Sequence, residues 1–173
     1  MDFLRKLRYG LKSVIYRLRG EYTTEKLIKN GLKVGTDFTR MKGVILDPGH
    51  VWHIQIGDRV TIAPNVHILA HDSSFKLFLG YTRVGNVIIG NDVFIGAESV
   101  ILPNVKIGNN CIIGANSTVH SSIPDNVVVA GNPAKIICTI EEYLEKARTQ
   151  LAEFDVFDES YTLRNHLSND KKN

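Results

Sequence analysis

Aliphatic residues recur through the middle of the chain at a spacing that suits neither a helix nor a lone strand. Ile89, Ile95, Ile101, Ile107, Ile113 and Val119 stand six apart, whereas a helix shows its buried face every three to four residues and a strand every two. Cut into sixes from Ile89, the chain reads IGNDVF, IGAESV, ILPNVK, IGNNCI, IGANST, VHSSIP. An earlier block from Ile56 reads IGDRVT, IAPNVH, ILAHDS. First positions are all Ile or Val, and fifth positions are small or apolar except at Asp72. This period predicts a coil of short parallel strands in which each hexapeptide forms one side. Its first and fifth residues point inward, and the next coil pairs about 4.8 Å away. Gly at the second position, as at Gly96 and Gly108, is expected to give a sharp corner its backbone freedom.

The frame breaks once. After Ile68 the spacing resumes only at Arg83, so residues 74–82 are expected to leave the coil. Asp72, polar at an inward site, fits a chain departing from the core, and such an interruption is where function is expected. Before Ile56 the repeat is looser: it starts near Val34 and passes through the irregular stretch ILDPGHVW.

Both ends read differently. From Thr139, TIEEYLEKARTQLAEF opens with the capping-box pair Thr139 and Glu142 and carries Ile140, Tyr143, Leu144, Ala147 and Leu151 at helical spacing. It predicts a helix covering the exposed strand edges of the last coil. Leu4, Leu7, Leu11, Val14, Ile15 and Leu18 predict an amphipathic helix at the amino terminus, and TTEKLIKNG a second, short one ending at Gly31. The expected organisation is a helical segment over 1–33, the coil over 34–138, and a helix with a polar tail over 139–173.

Composition narrows the class. With 173 residues, 43% hydrophobic and 23% charged, the chain suits one globular domain. Two cysteines and the lack of a long apolar run point to a cytoplasmic protein. A net charge of +3 suggests no nucleic-acid partner, yet Arg5, Lys6, Arg8, Lys12, Arg17 and Arg19 face only Asp2 in the first twenty residues. That segment has two readings: a cap on the first coil, or a peripheral contact of residues 1–20 with the anionic inner face of a membrane.

No Gly-x-Ser-x-Gly elbow, phosphate-binding Gly-Lys-Ser/Thr loop or His-Glu-x-x-His helix occurs, and Cys111 sits at an inward position. Histidines remain: His50, His53, His67, His71 and His120 all fall in the coil region. His71 directly precedes the interruption and has the chemistry of a base for a hydroxyl nucleophile. One coil is eighteen residues, so His53 is expected one level from His71 on the same side, placed to hold an acceptor. Asp47 is a second candidate acceptor contact. His50 is expected to be a hydrogen-bonded structural residue near it, and His67 to do no more than line the site.

The segment from Ile89 to Ile137 resembles the terminal coils of the hexapeptide-repeat acyltransferases, in particular the maltose, galactoside and polysaccharide O-acetyltransferases. Its closing AGNPAK is similar to their Ala-Gly-x-Pro-Ala/Cys-Arg/Lys signature. The resemblance implies an all-β solenoid, a left-handed parallel β-helix of triangular section. It also implies a homotrimer with coenzyme A in the groove between neighbouring subunits, and transfer from acetyl-CoA to a sugar or glycan hydroxyl without a metal. By the same resemblance, Ala97, Ala115, His120 and Lys135 contact the cofactor. Ala97 and Ala115 are one coil apart, and their small side chains let a pantetheine arm approach the backbone; Lys135 meets phosphate charge. Two departures stand out. A second basic position falls on Cys138, and the usual catalytic histidine aligns with Ser73, so under the family mechanism His71 has to serve through a shifted loop, the alternative being a weak or lost transferase activity. Two alternatives share the architecture. One is a metal hydratase of the γ-carbonic anhydrase kind, with His67 and His71 among the ligands. The other is a non-enzymatic scaffold.

Overall fold

The computed structural model describes residues 21–151. The basic stretch 1–20, with the membrane contact expected of it, and the tail beyond 151 lie outside the described residues. The first described element is a short helix, α1 (Thr24–Lys29), capped by the Thr23 hydroxyl accepting from Lys26 N–H. It buries Leu27 and ends at Asn30 and Gly31, the latter at φ +107°. This is the short helix that TTEKLIKNG predicts.

The chain then winds through three parallel sheets in constant rotation. The first sheet holds β1 (Lys33–Val34), β4 (Ile54–Ile56), β9 (Val87–Ile89) and β12 (Lys106–Ile107). The second holds β2 (Thr39–Arg40), β5 (Thr61–Ile62), β10 (Val93–Ile95), β13 (Cys111–Ile113) and β15 (Val127–Ala130). The third holds β3 (Ile45–Leu46), β6 (His67–Ile68), β11 (Val100–Ile101) and β14 (Thr118–Val119). Three sides, each about one hexapeptide long, thus make one turn of the coil. Inside it, Ile54, Ile62, Ile68, Ile95, Ile101, Ile107 and Ile113 are completely buried, and each contributes on the order of 1.5–3 kcal/mol of burial. Ser99 and Ser117 occupy inward fifth positions without harm, because both hydroxyls donate to the Gly114 carbonyl, at 3.0 and 2.6 Å.

The corner geometry differs from the sequence expectation. Positive φ falls on the fourth position of five successive hexapeptides, at Asp92, Glu98, Asn104, Asn110 and Asn116, and the second-position glycines are not among the positive-φ residues. Those glycines are required for a different reason, close approach of the next coil. A Cβ on Gly96 would lie 2.5 Å from Ala115 N, and one on Gly108 2.6 Å from Asp125 N.

Strand register fixes the size of each excursion. In the upper coils partners are eighteen apart, as Val93 with Cys111 and Val100 with Thr118. Thr39 pairs with Thr61, and Thr61 with Phe94, so the first coil carries four extra residues and the second fifteen. Both insertions fall where the chain passes from the third sheet to the first, after Leu46 and after Ile68. The second is larger than the expected 74–82: it runs over residues 71–85. There β7 (His71–Asp72) pairs antiparallel with β8 (Arg83–Val84), a one-turn helix α2 (Lys76–Leu79) forms the tip, and Gly85 N–H donates to the Ala70 carbonyl at the base.

The upper end of the coil also departs from expectation. β16 (Lys135–Thr139) runs antiparallel along β15, so a strand, not the helix, takes the last open edge of the second sheet. The chain divides into two compact units after Ile140. The C-terminal helix α3 (Ile140–Leu151) forms where Thr139-Ile140-Glu141-Glu142 predicts it, but none of its residues is buried.

Candidate active site

The two insertions emerge from the same corner one level apart, and the site lies between them. His71 is the first residue of the hairpin. Its Nδ1 lies 2.5 Å from Oδ2 of Asp47, which ends the third side of the coil below. The same Oδ2 accepts from Ala70 N–H at 2.9 Å. Asp47 is 3% exposed and the His71 side chain 37%, so a hidden carboxylate stands behind a half-open imidazole. Burial alone would raise the Asp47 carboxyl, but hydrogen bonds from His71 and Ala70, with the nearby His71 and His50 charges, hold it below its ordinary value. A carboxylate accepting from Nδ1–H fixes the tautomer and leaves the Nε2 lone pair to take a proton.

Both oxygens of Asp47, expected from sequence to contact the acceptor, are turned towards His71, Ala70 and His50, so the carboxylate is engaged in holding His71. His50 lies against this pair, with its Nδ1 3.5 Å from Asp47 Oδ1 and its ring centroid 4.6 Å from that of His71. It is near Asp47 as expected, and its backbone N–H donates to the Asp47 carbonyl at 3.0 Å, while its buried Nδ1 has no hydrogen-bond partner. His53 corrects a second expectation. It does not stack on His71, because the insertion starts at residue 71 and the coil resumes at Asn86, whose Oδ1 meets His53 Nδ1 at 2.7 Å.

The hairpin that carries His71 is tied at its neck. Asp72 accepts from Ser74 N–H at 2.9 Å and from Arg83 at 2.8 Å; these bonds, Ser74 foremost, lower its carboxyl. Ser73, in the place of the usual histidine, faces Thr82 with 3.1 Å between hydroxyl oxygens. The tip is apolar and open: Leu77, Phe78, Leu79 and Tyr81 are 88, 80, 65 and 75% exposed.

The residues expected to contact the cofactor occupy two corners. Ala97 and Ala115 stack between the second and third sheets, with Asn116 N–H donating to the Ala97 carbonyl at 2.8 Å. Lys135 pairs with Ala130 beside Gly114 at the upper end of that corner. His120, exposed and with Nδ1 2.8 Å from the Ser121 hydroxyl, follows β14 and so shares the corner of His71. Within one chain the third sheet separates His71 and His120 from Ala97, Ala115 and Lys135. Cys111 is fully buried and its thiol is pushed up by that burial, which leaves it inert as a nucleophile. His67 lies apart from the Asp47 cluster: among the described residues, the only group of three or more His, Cys, Asp and Glu with donor atoms close together is Asp47, His50 and His71, all within 4.8 Å. That set could coordinate a divalent cation in place of the hydrogen bond it now makes. No helix of the described residues is long and apolar enough to cross a membrane.

Residues 86–121 match the family described as bacterial transferase hexapeptide (six repeats). Over 135 residues the chain is 43% identical to Protein CapG of Staphylococcus aureus, covering 75% of this chain and 78% of that one. A maltose O-acetyltransferase from Clostridium difficile 630 superimposes with a TM-score of 0.56 at 37% identity, over 63% of this chain and 59% of that one. A hexapeptide-repeat acetyltransferase from Vibrio cholerae O1 biovar eltor, solved with acetyl coenzyme A, gives 0.57 at 28% identity, over 63% and 60%. The chain thus spans about three fifths of these two solved structures.

Proposed function

Given that the chain belongs to the hexapeptide-repeat acyltransferase family, we propose that it moves an acetyl group from acetyl-CoA to a sugar hydroxyl, in a left-handed β-helical homotrimer. The observation that carries the reading is the Asp47–His71 pair at the root of the hairpin. In the proposed step, Nε2 of His71 takes the acceptor O–H proton while the oxygen attacks the thioester carbonyl. The C–S bond of the tetrahedral adduct then breaks, and the same imidazolium returns its proton to the departing thiolate, giving the acetyl ester and coenzyme A. Asp47 stabilises the imidazolium between the two transfers.

The division of the site between two corners supports a shared groove. His71 and His120 of one copy would face Ala97, Ala115 and Lys135 of the next, with the pantetheine along the stacked alanines and phosphate near Lys135. The exposed apolar hairpin tip supports association in the same way, since four large side chains in the open are unusual for a monomer.

The deciding experiment is thiol release from acetyl-CoA against hexoses, nucleotide sugars and lipid-linked glycans. Saccharide-dependent release that is lost in His71→Ala is the expected result; release driven only by serine or by amino sugars would reassign the acceptor. A metal hydratase is the second reading, favoured by the close donors of Asp47, His50 and His71, and stoichiometric zinc by elemental analysis would put it first.

A further inference from the structure

Four rings follow one another along the corner that bears both insertions. His71 lies on His50 with centroids 4.6 Å apart, His50 on Trp52 at 5.7 Å, and Trp52 on His53 at 5.8 Å. Trp52 is the only tryptophan of the chain and is 53% exposed. It exists at this place because the first coil is four residues longer than the repeat.

The loop that presents it is held firmly. Val51, its neighbour, is completely buried, and the turn Val51–His53 is closed by His50 N–H to the Asp47 carbonyl and His53 N–H to the His50 carbonyl, both at 3.0 Å. His53 is tied to Asn86. Gly31, at the end of α1, lies so close beneath that a Cβ there would fall 2.7 Å from Trp52 Cβ. An indole carried on a firmly held loop, half open, and one ring away from the candidate base is a preorganised contact surface.

We propose that Trp52 is the stacking platform for the acceptor, a pyranose whose C–H face lies on the indole while one hydroxyl reaches Nε2 of His71 past His50. This deepens the acetyl-transfer reading and rests on it. A pyranose has an apolar C–H face and a rim of hydroxyls, which match an indole bordered by imidazoles. A linear acceptor such as serine has no such face. A second copy of the chain on this surface would bring an apolar interface core, whereas the rings that border Trp52 are His50 and His53, polar groups suited to hydroxyls.

Because Trp52 is the sole tryptophan, its emission reports on this surface independently of turnover. Titration of the full chain with a panel of mono- and disaccharides should quench and shift the emission for the saccharides that are acetylated, and serine should leave it unchanged. In kinetics, Trp52→Ala should raise KM for the saccharide about tenfold, the effect of one aromatic contact, with KM for acetyl-CoA unchanged. Trp52→Phe, which keeps an apolar ring on the same loop, should recover most of the loss. Unaltered emission at saccharide concentrations that saturate transfer, or an unaltered KM in Trp52→Ala, would overturn the platform. Emission that responds to protein concentration and not to saccharide would overturn it in favour of a second copy. Failure of every acceptor to release thiol from acetyl-CoA would instead sink the transferase reading, and the emission titration would still decide what Trp52 binds.

Discussion

Nδ1 of His71 and Oδ2 of Asp47 lie 2.5 Å apart although twenty-four residues separate them along the chain. They belong to successive levels of one corner, and each stands at the start of an insertion. The carboxylate fixes the imidazole, so the two side chains should behave as one functional unit with unequal members. His71→Ala should lower kcat by about 100-fold or more, as expected for loss of a general base. Asp47→Asn should cost as much or more, about 10²-fold to 10⁴-fold, because the amide can donate to Nδ1 and so favours the tautomer whose Nε2 already carries the proton. Thiol release measured at saturating acetyl-CoA checks both, and turnover close to wild type in His71→Ala would remove that residue from the mechanism.

Asp47 also ties stability to pH. Its folded carboxyl is held below the ordinary 3.8, so below 3.8 the unfolded chain binds the proton first. Stability from this group is therefore complete above 3.8 and is lost as pH falls through the lower folded value. The melting temperature of the wild type should exceed that of Asp47→Asn at about pH 5, and the margin should shrink as pH drops below about 4. A margin that persists unchanged at about pH 3 would mean that the charge of Asp47 does not stabilise the fold.

Corner chemistry gives a test with opposite signs at neighbouring places. Gly96→Ala would place a Cβ 2.5 Å from Ala115 N, a backbone atom that cannot move aside, and should destabilise by about 1–3 kcal/mol. Asn116 sits at φ +56°, where a side chain is strained, so Asn116→Gly should be neutral or stabilising by up to about 1 kcal/mol, whereas Asn116→Val should cost at least as much. Urea midpoints of the three variants decide it. Equal losses at both glycine-related sites would mean that the corner strain is evenly spread.

The repeat was legible because every coil solves the same local problem with the same residues: the isoleucines six apart from Ile56 and from Ile89 are all buried, at 2% exposure or less. The insertions were only half legible. Asp72 marks where the frame fails, but the length of the excursion depends on which residue resumes the ladder, and only strand register identifies Asn86 as the residue above His53. The Asp47–His71 contact has no period at all. A single aspartate before Pro48 and Gly49 looks like a turn residue, and nothing along the chain shows that the corner folds its carboxylate inward. The edge strand β16 was hidden for a related reason: Lys135 to Thr139 is too short and too near the helix signal to show a two-residue alternation, and it pairs with β15 only because the coil ends there.

The separation of the site into two corners predicts complementation between inactive chains. His71 lies between the third and first sheets, whereas Ala115 lies between the second and third, so in the proposed homotrimer one substitution at each place damages a different half of the shared groove. His71→Ala removes the proposed base. Ala115→Trp places a large ring over the stacked alanines, and because Ala115 is exposed the coil should tolerate it while acetyl-CoA does not. Each variant alone should be inactive as a homotrimer. When the two are unfolded together in equal amounts and refolded, random assembly should produce grooves that draw both intact halves from neighbouring copies, restoring about a quarter of the wild-type rate. Mixing without unfolding should restore nothing, since subunits do not exchange in a stable trimer. Recovery after co-refolding establishes the shared groove. Correctly folded mixed trimers with no activity would show that one chain supplies both halves, and the pantetheine path along Ala97 and Ala115 would have to be abandoned.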